Sequence, residues 1–164
     1  MSRTEYLASR MQKPDMSDKC REFIENYVKE NNIENVLEFG SGGSTKMFAD
    51  LGCSIVTIEH DPEFYWAGRK IWKDIYNIKS FLAMDKRAYI LFASSRFAED
   101  LVFVDGVYRE SIMKKLRLNG FRKWKTIMIH DSEREEYKPH FEYLKDIADD
   151  ISPEGVNLFV CRRK

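Results

Sequence analysis

Residues 35–48 read NVLEFGSGGSTKMF, an apolar tripeptide that runs into an acid, a cluster of glycines and then a helix-like segment. Val36-Leu37-Glu38-Phe39 has the length and composition of a short buried strand. Ser44 to Leu51 places Met47, Phe48 and Leu51 on one helical side, and Gly52 closes it. Between them, Gly40, Gly42 and Gly43 allow a tight turn and let a ligand approach where a Cβ would collide, while the following helix presents its amide dipole. The chain on either side has to be read as a frame for that turn.

Working outward, the same alternation repeats. Ser17 to Asn31 carries Cys20, Phe23, Ile24, Tyr27 and Val28 on a helical stripe. After Gly52, the β-branched run Cys53 to Ile58 reads as a second strand, ended by Glu59-His60-Asp61-Pro62. Pro62 opens a helix in which Phe64, Gly68, Ile71 and Ile75 recur through to Asn77. A third strand spans Lys79 to Met84 and stops at Asp85, and a helix follows across Tyr89 to Phe97. Leu101 to Val104 is wholly apolar, as a strand covered on both faces must be, and stops at Asp105-Gly106. Glu110 to Leu118 is helical with Asn119-Gly120 as its stop, and Thr126 to Ile129 is the fifth strand, ending at His130-Asp131. Beyond it, Leu144, Ile147, Ala148 and Ile151 fit a helix, whereas Ser152-Pro153-Glu154-Gly155 could turn a hairpin into a last strand, Val156 to Cys161. The pattern predicts an α/β fold with a mostly parallel sheet, helices on both faces and an antiparallel C-terminal strand. One domain spans residues 1–164, with an N-terminal arm and helix over 1–32 and an α/β core over 33–164.

Composition limits the partners. With 164 residues and 43% hydrophobic content the chain can build one core. Twenty-seven basic residues balance twenty-seven acidic ones, so no global field draws nucleic acid or an anionic membrane. The basic and aromatic stretch Arg117 to Lys125, RLNGFRKWK, enters the fifth strand from the end opposite the glycine turn and reads as a solvated face or partner contact. No apolar run approaches the ~20 residues of a membrane span, and MSRTEYLASRMQKP lacks the apolar core of a signal peptide. Cys20, Cys53 and Cys161 lie far apart without metal-ligand spacing, which predicts buried reduced thiols and a cytoplasmic compartment.

In an open α/β sheet, ligands sit beyond the carboxyl ends of the strands. Glu38 with the glycine turn, Glu59, Asp85, Asp105 and Asp131 close strands one to five in turn. An acid at one strand end commonly caps the next helix, but five in register describe a site. Dinucleotide enzymes want G-x-G-x-x-G, whereas here Thr45 holds the third glycine's position and an acid stands two residues before Gly40. That acid suits a cationic ligand. Glu59, 19 residues after Gly40, has the spacing of a carboxylate that accepts ribose hydroxyls. The two features together describe S-adenosylmethionine.

With VLEFGSGGST as first motif, VTIEHD as second, FLAMD as third and LVFVDG as fourth, the chain resembles the class I S-adenosylmethionine-dependent methyltransferases, whose Rossmann-like sandwich matches the predicted order. VLEFGSGGST, IEHDPEFY, FVDG and IMIHDSERE together resemble a small bacterial and viral group related to plant glucuronoxylan O-methyltransferases. One departure stands out: Ser44 replaces the usual third glycine and Gly43 is added before it.

The resemblance implies that the cofactor is bound by Glu38 and by the turn residues Gly40, Ser41, Gly42, Gly43, Ser44 and Thr45, by Glu59 at the ribose, by Asp85 near the adenine, and by His60 and Asp105. It implies O-methylation of a sugar hydroxyl on a glycan, or of another small hydroxylated molecule. Asp105, Asp131, His130 and Arg109 are the polar groups nearest the expected methyl position; an alcohol is a poor nucleophile, so its proton needs an acceptor among Asp105, Asp131 and His130, with Arg109 a candidate for contact with the substrate. In catechol-type O-methyltransferases an acid after strand four and an Asp-Asn pair after strand five bind a divalent ion. Asp105 and Asp131 are the corresponding candidates here for Mn²⁺ or Mg²⁺, alongside the simpler reading that Asp105 contacts cofactor and Asp131 orders a loop. A nicotinamide oxidoreductase is disfavoured by the missing glycine, and a non-catalytic cofactor-binding module is the remaining alternative.

Overall fold

The computed structural model describes residues 1–93, 100–118 and 124–164. Its element order is α1 (Arg3–Gln12), α2 (Asp18–Glu30), β1 (Asn35–Phe39), α3 (Gly43–Asp50), β2 (Ser54–Glu59), α4 (Pro62–Ile71), β3 (Ile78–Leu82), α5 (Lys86–Phe92), β4 (Leu101–Val104), α6 (Arg109–Leu118), β5 (Thr126–His130), α7 (Lys138–Phe141), β6 (Ala148–Asp150) and β7 (Leu158–Arg163). The strands form one seven-stranded sheet in the order β3-β2-β1-β4-β5-β7-β6. β1 to β5 are parallel, and β7 pairs antiparallel with both β5 and β6. This is the predicted Rossmann-like methyltransferase architecture.

The two faces of the sheet follow from the period of two along each strand. Leu37, Phe39, Val102, Val104, Ile127 and Ile129 point into one core, shared with Tyr89 of α5 and with Ile112, Met113 and Leu116 of α6. Val36, Ile55, Leu101, Phe103 and Met128 point the other way, against Ile24 and Val28 of α2 and Phe48 of α3. The same alternation sends Glu38 toward the α3 face. Buried on both sides, β4 is apolar throughout, and β5 is apolar at Ile127, Met128 and Ile129 between Thr126 and His130. Cys20, Cys53 and Cys161 are free thiols within the cores. Tyr27 ties α2 to β5 through a 2.8 Å bond with the Thr126 hydroxyl.

Several boundaries differ from the sequence reading, each for a local reason. The helix opened by Pro62 ends at Ile71 instead of running to Asn77: Trp72 folds its ring over Gly68, where a Cβ would sit 2.6 Å from Cζ3, and its indole N–H donates to the Met11 carbonyl. Asp85 caps α5 at Arg87 N and Ala88 N, so that helix begins at Lys86 rather than near Tyr89; its expected end at Phe97 lies outside the described residues, as does the Asn119-Gly120 stop. The open choice near the C-terminus resolves as a hairpin. Ser152 accepts from Val160 N at 2.9 Å and donates to Asp150 at 2.6 Å, fixing β6 beside β7. The expected last strand, Val156 to Cys161, is displaced to Leu158–Arg163.

The first helix was not expected at all. Ser2 and Glu5 form a capping box that starts α1, and Leu7 and Met11 bury its inner face. α1 packs against α3 and α4, which brings the chain just after it across the start of α3. None of the described helices is long and apolar enough to cross a membrane.

Candidate active site

An open cleft of about 580 Å³ lies at the carboxyl ends of β1, β2, β4 and β5. Its floor is the quoted turn. Gly40 has φ +94°, a conformation that costs a side-chain-bearing residue on the order of 1–3 kcal/mol. A Cβ there would also stand 2.6 Å from Gly106 Cα and 2.7 Å from Gly106 N. The turn after β1 and the turn after β4 therefore touch backbone to backbone, and only glycine fits on both sides. At Gly106 a Cβ would meet the Tyr89 hydroxyl at 2.2 Å and Gly40 N at 2.9 Å. The extra glycine of the motif has its own cause: a Cβ on Gly43 would lie 2.0 Å from the Lys13 carbonyl carbon, so the segment leaving α1 crosses directly over it. Arg10 from the last turn of α1 and Asp15 from that segment, joined as an ion pair, add to the cleft wall.

The acids at the strand ends divide into different roles. Glu38 is completely buried and does not reach the cleft. It accepts from the Ser44 hydroxyl at 2.6 Å and the Thr45 hydroxyl at 2.5 Å, and Thr45 in turn accepts from Gly42 N at 3.1 Å. Burial pushes its carboxyl up to about 7 against the pull of those hydroxyls. Glu38 thus holds the turn from beneath. Glu59 reaches the cleft, 3% exposed, with its oxygens already engaged: Oε2 accepts from Ser41 N (2.8 Å) and Ser41 Oγ (2.9 Å), and Oε1 from His60 N (2.8 Å) and Asp61 N (2.9 Å). A diol bound here would replace the Ser41 hydroxyl while the backbone donors keep the carboxylate aimed.

Gly40, Ser41, Gly42, Gly43, Ser44, His60 and Asp105 also line the cleft; Thr45, buried behind the turn, and Asp85, exposed and occupied as the α5 cap, do not. Sequence reasoning missed Asp61, Phe64, Tyr108, Arg134 and Tyr137, which complete the wall. Tyr108 adopts φ +58° and packs edge-on against the Tyr89 ring, and no pattern in the sequence announces it.

Beyond the turn, Arg109 organises the remaining charges. The side chain is 5% exposed and lies over the Tyr137 ring at 5.1 Å. Its Nε donates to Gly106 O at 3.0 Å and Nη1 to His130 O at 2.5 Å. Nη2 donates to Asp105 O at 3.0 Å and to Asp105 Oδ1 and Asp131 Oδ2, each at 3.1 Å. Asp131 also receives Arg134 at 2.7 Å and adopts φ +55°. His130 Nδ1 stands 2.9 Å from Asp105 Oδ1 and 3.4 Å from Asp131 Oδ1. Burial works against a charge on that imidazole, but its bonds to Asp105 and Cys20 and the nearby carboxylates outweigh it and raise the pKa to about 10. His130 is therefore a donor at neutral pH, which disfavours it as a base.

Ligand atoms of Asp105, His130 and Asp131 fall within 4.8 Å of one another, close enough for a shared ion. The donor set nevertheless fits a divalent cation poorly in this arrangement, because the Arg109 guanidinium already bridges the two carboxylates and His130 spends its proton on one of them.

No protein-family model matches the chain, and no curated protein matches it by sequence. Solved structures share its fold. A Staphylococcus aureus protein provisionally named a caffeoyl-CoA O-methyltransferase aligns at TM-score 0.73 and 14% identity, over 100% of this chain and 93% of its own. A Podospora anserina methyltransferase with S-adenosylhomocysteine bound aligns at 0.70 and 16%, over 98% and 86%. The Bradyrhizobium japonicum N-methyltransferase NodS, in complex with the same molecule, aligns at 0.64 and 12%, over 98% and 96%.

Proposed function

We propose that the chain is an S-adenosylmethionine-dependent O-methyltransferase whose acceptor is a sugar hydroxyl of a glycan, as in the group related to glucuronoxylan O-methyltransferases. The observation that carries the reading is the cleft itself: a glycine turn fixed by Glu38, a carboxylate aimed by Ser41, and the Asp105–Arg109 cluster opposite, in a fold shared with methyltransferases that hold S-adenosylhomocysteine. The glycine turn and Glu59 line the cleft together, a carboxylate beside open backbone that fits the ribose of a nucleoside.

When bound, the cofactor supplies an activated methyl on a sulfonium, and its transfer to the acceptor oxygen leaves S-adenosylhomocysteine and a proton. The chain's own residues then have two tasks. The first is alignment, for which the cleft walls hold both partners. The second is the proton. Both side-chain donors to Asp105 arrive at Oδ1, so Oδ2 is the oxygen that takes the hydroxyl proton, with Arg109 stabilising the carboxylate and Asp131 holding Arg109. Tyr108, Tyr137 and Arg134 provide rings and a guanidinium suited to the faces and hydroxyls of a sugar.

Incubation with methyl-labelled S-adenosylmethionine and a panel of oligosaccharides, alongside simple phenols and small alcohols, tests this by mass spectrometry. A single methyl gained on a sugar is expected. Transfer to the small alcohols or phenols alone would replace the glycan with another hydroxylated acceptor; cofactor binding without transfer to any would leave a binding module.

A further inference from the structure

We propose that Arg109 is the resident cation of this cleft, standing where a divalent ion would bridge Asp105 and Asp131, and that the site binds a metal only when Arg109 is removed. Its Nη2 is equidistant, 3.1 Å, from one oxygen of each carboxylate. A hard cation shared by those oxygens would need distances of about 2.0–2.6 Å, in the space the guanidinium fills. A surface arginine could swing aside. Arg109 cannot do so cheaply, because Nε, Nη1 and Nη2 also hold the carbonyls of Gly106, His130 and Asp105 across the ends of β4 and β5. Moving it would leave three carbonyls without their donor and a buried charge without its counter-ions. The third potential ligand is engaged as well, since His130 Nδ1 lies 2.9 Å from Asp105 Oδ1.

The substitution has a chemical consequence. A metal could bind the acceptor oxygen and lower its pKa directly, whereas Arg109 has donors but no vacant coordination position. Arg109 can hold and neutralise the carboxylates, and proton removal falls to one of them. Arg109 is thus a positioning residue, and the three candidate metal ligands are a latent set kept closed by it.

The proposal concerns the cleft assigned above to methyl transfer, but ion binding is measured without turnover, so either can fail alone. Paramagnetic resonance of free Mn²⁺, titrated with the chain of residues 1–164, gives the readout. The wild type should show no site of roughly 10⁻⁴ M or tighter. Arg109→Ala, with its fold verified by circular dichroism, should bind one Mn²⁺ at least tenfold more tightly than wild type, and Arg109→Ala combined with Asp131→Asn should lose it. Should Arg109→Ala not fold, Arg109→Gln carries the same expectation while retaining an amide donor for the carbonyls. Wild-type binding that disappears in Asp131→Asn would overturn the proposal, as would a folded Arg109 variant that gains no site.

Discussion

Two glycines with nearly the same backbone angle allow the approach of the two turns to be weighed by itself. Gly40 has φ +94° and Gly52 φ +88°, so alanine at either position carries a similar conformational cost, on the order of 1–3 kcal/mol. They differ in what the new Cβ would meet. At Gly52 nothing lies within 4 Å; at Gly40 the methyl would sit 2.6 Å from Gly106 Cα and 2.7 Å from Gly106 N, both backbone atoms at the end of β4. Reaching an ordinary contact near 3.4 Å requires the turns to part by roughly 0.8 Å. Overpacking of this kind costs about 1–3 kcal/mol. Gly40→Ala should therefore be less stable than Gly52→Ala by about that amount in urea denaturation. The displacement also opens the cleft floor, so Gly40→Ala should lose S-adenosylhomocysteine affinity in calorimetry while Gly52→Ala, at the far end of α3, keeps it. Equal stability losses, or normal binding by Gly40→Ala, would refute the inference that contact between the turns is what demands glycine.

Glu59→Ala removes the acceptor that holds Ser41, His60 and Asp61, and S-adenosylhomocysteine should bind roughly ten- to a hundredfold more weakly by calorimetry. Asp105→Asn should lower kcat by roughly 10²–10⁴-fold with cofactor affinity changed far less, as single-turnover kinetics would show. Glu38 has a folded pKa of about 7, above its ordinary 4.5. The unfolded chain releases that proton first as pH rises, so the stability it contributes is complete below about 4.5 and is lost as pH climbs to about 7, by an amount on the order of 3 kcal/mol. Glu38→Gln should flatten that part of the stability–pH curve measured by denaturant melts; an unchanged slope would mean that Glu38 is ionised in the folded protein.

What the sequence disclosed was set by how local each cause is. Strand-end acids and β-branched runs carry their own signal, so the parallel order and the glycine turn were legible from residues such as Val36 to Gly43 and Leu101 to Gly106. Glu38 was legible as important but not in its role, because only the side on which the strand turns it decides whether it meets a ligand or α3. α1 has a readable start, the Ser2–Glu5 capping box ahead of Leu7 and Met11, but it is short and its apolar stripe is thin. Arg109 was legible as a neighbour of Asp105, His130 and Asp131, but not as the group that holds them together. Its partners come from Asp105, Gly106, His130 and Asp131, two strand ends brought together only by β4–β5 pairing, and the shared-ion expectation followed from considering the two acids without the guanidinium between them.

The contact of Gly40 with Gly106 also bears on the order in which the molecule becomes functional. β1, β2 and β3 follow one another in the chain and can pair by short crossovers, but the second half of the cleft arrives only when β4 inserts along the free edge of β1. Such non-local pairing comes with a larger loop-closure cost and tends to form late. An assembled cleft is therefore a sign that the sheet has closed past its midpoint, and refolding followed by cofactor capture would time β4 docking separately from the earlier growth of the β1–β3 half.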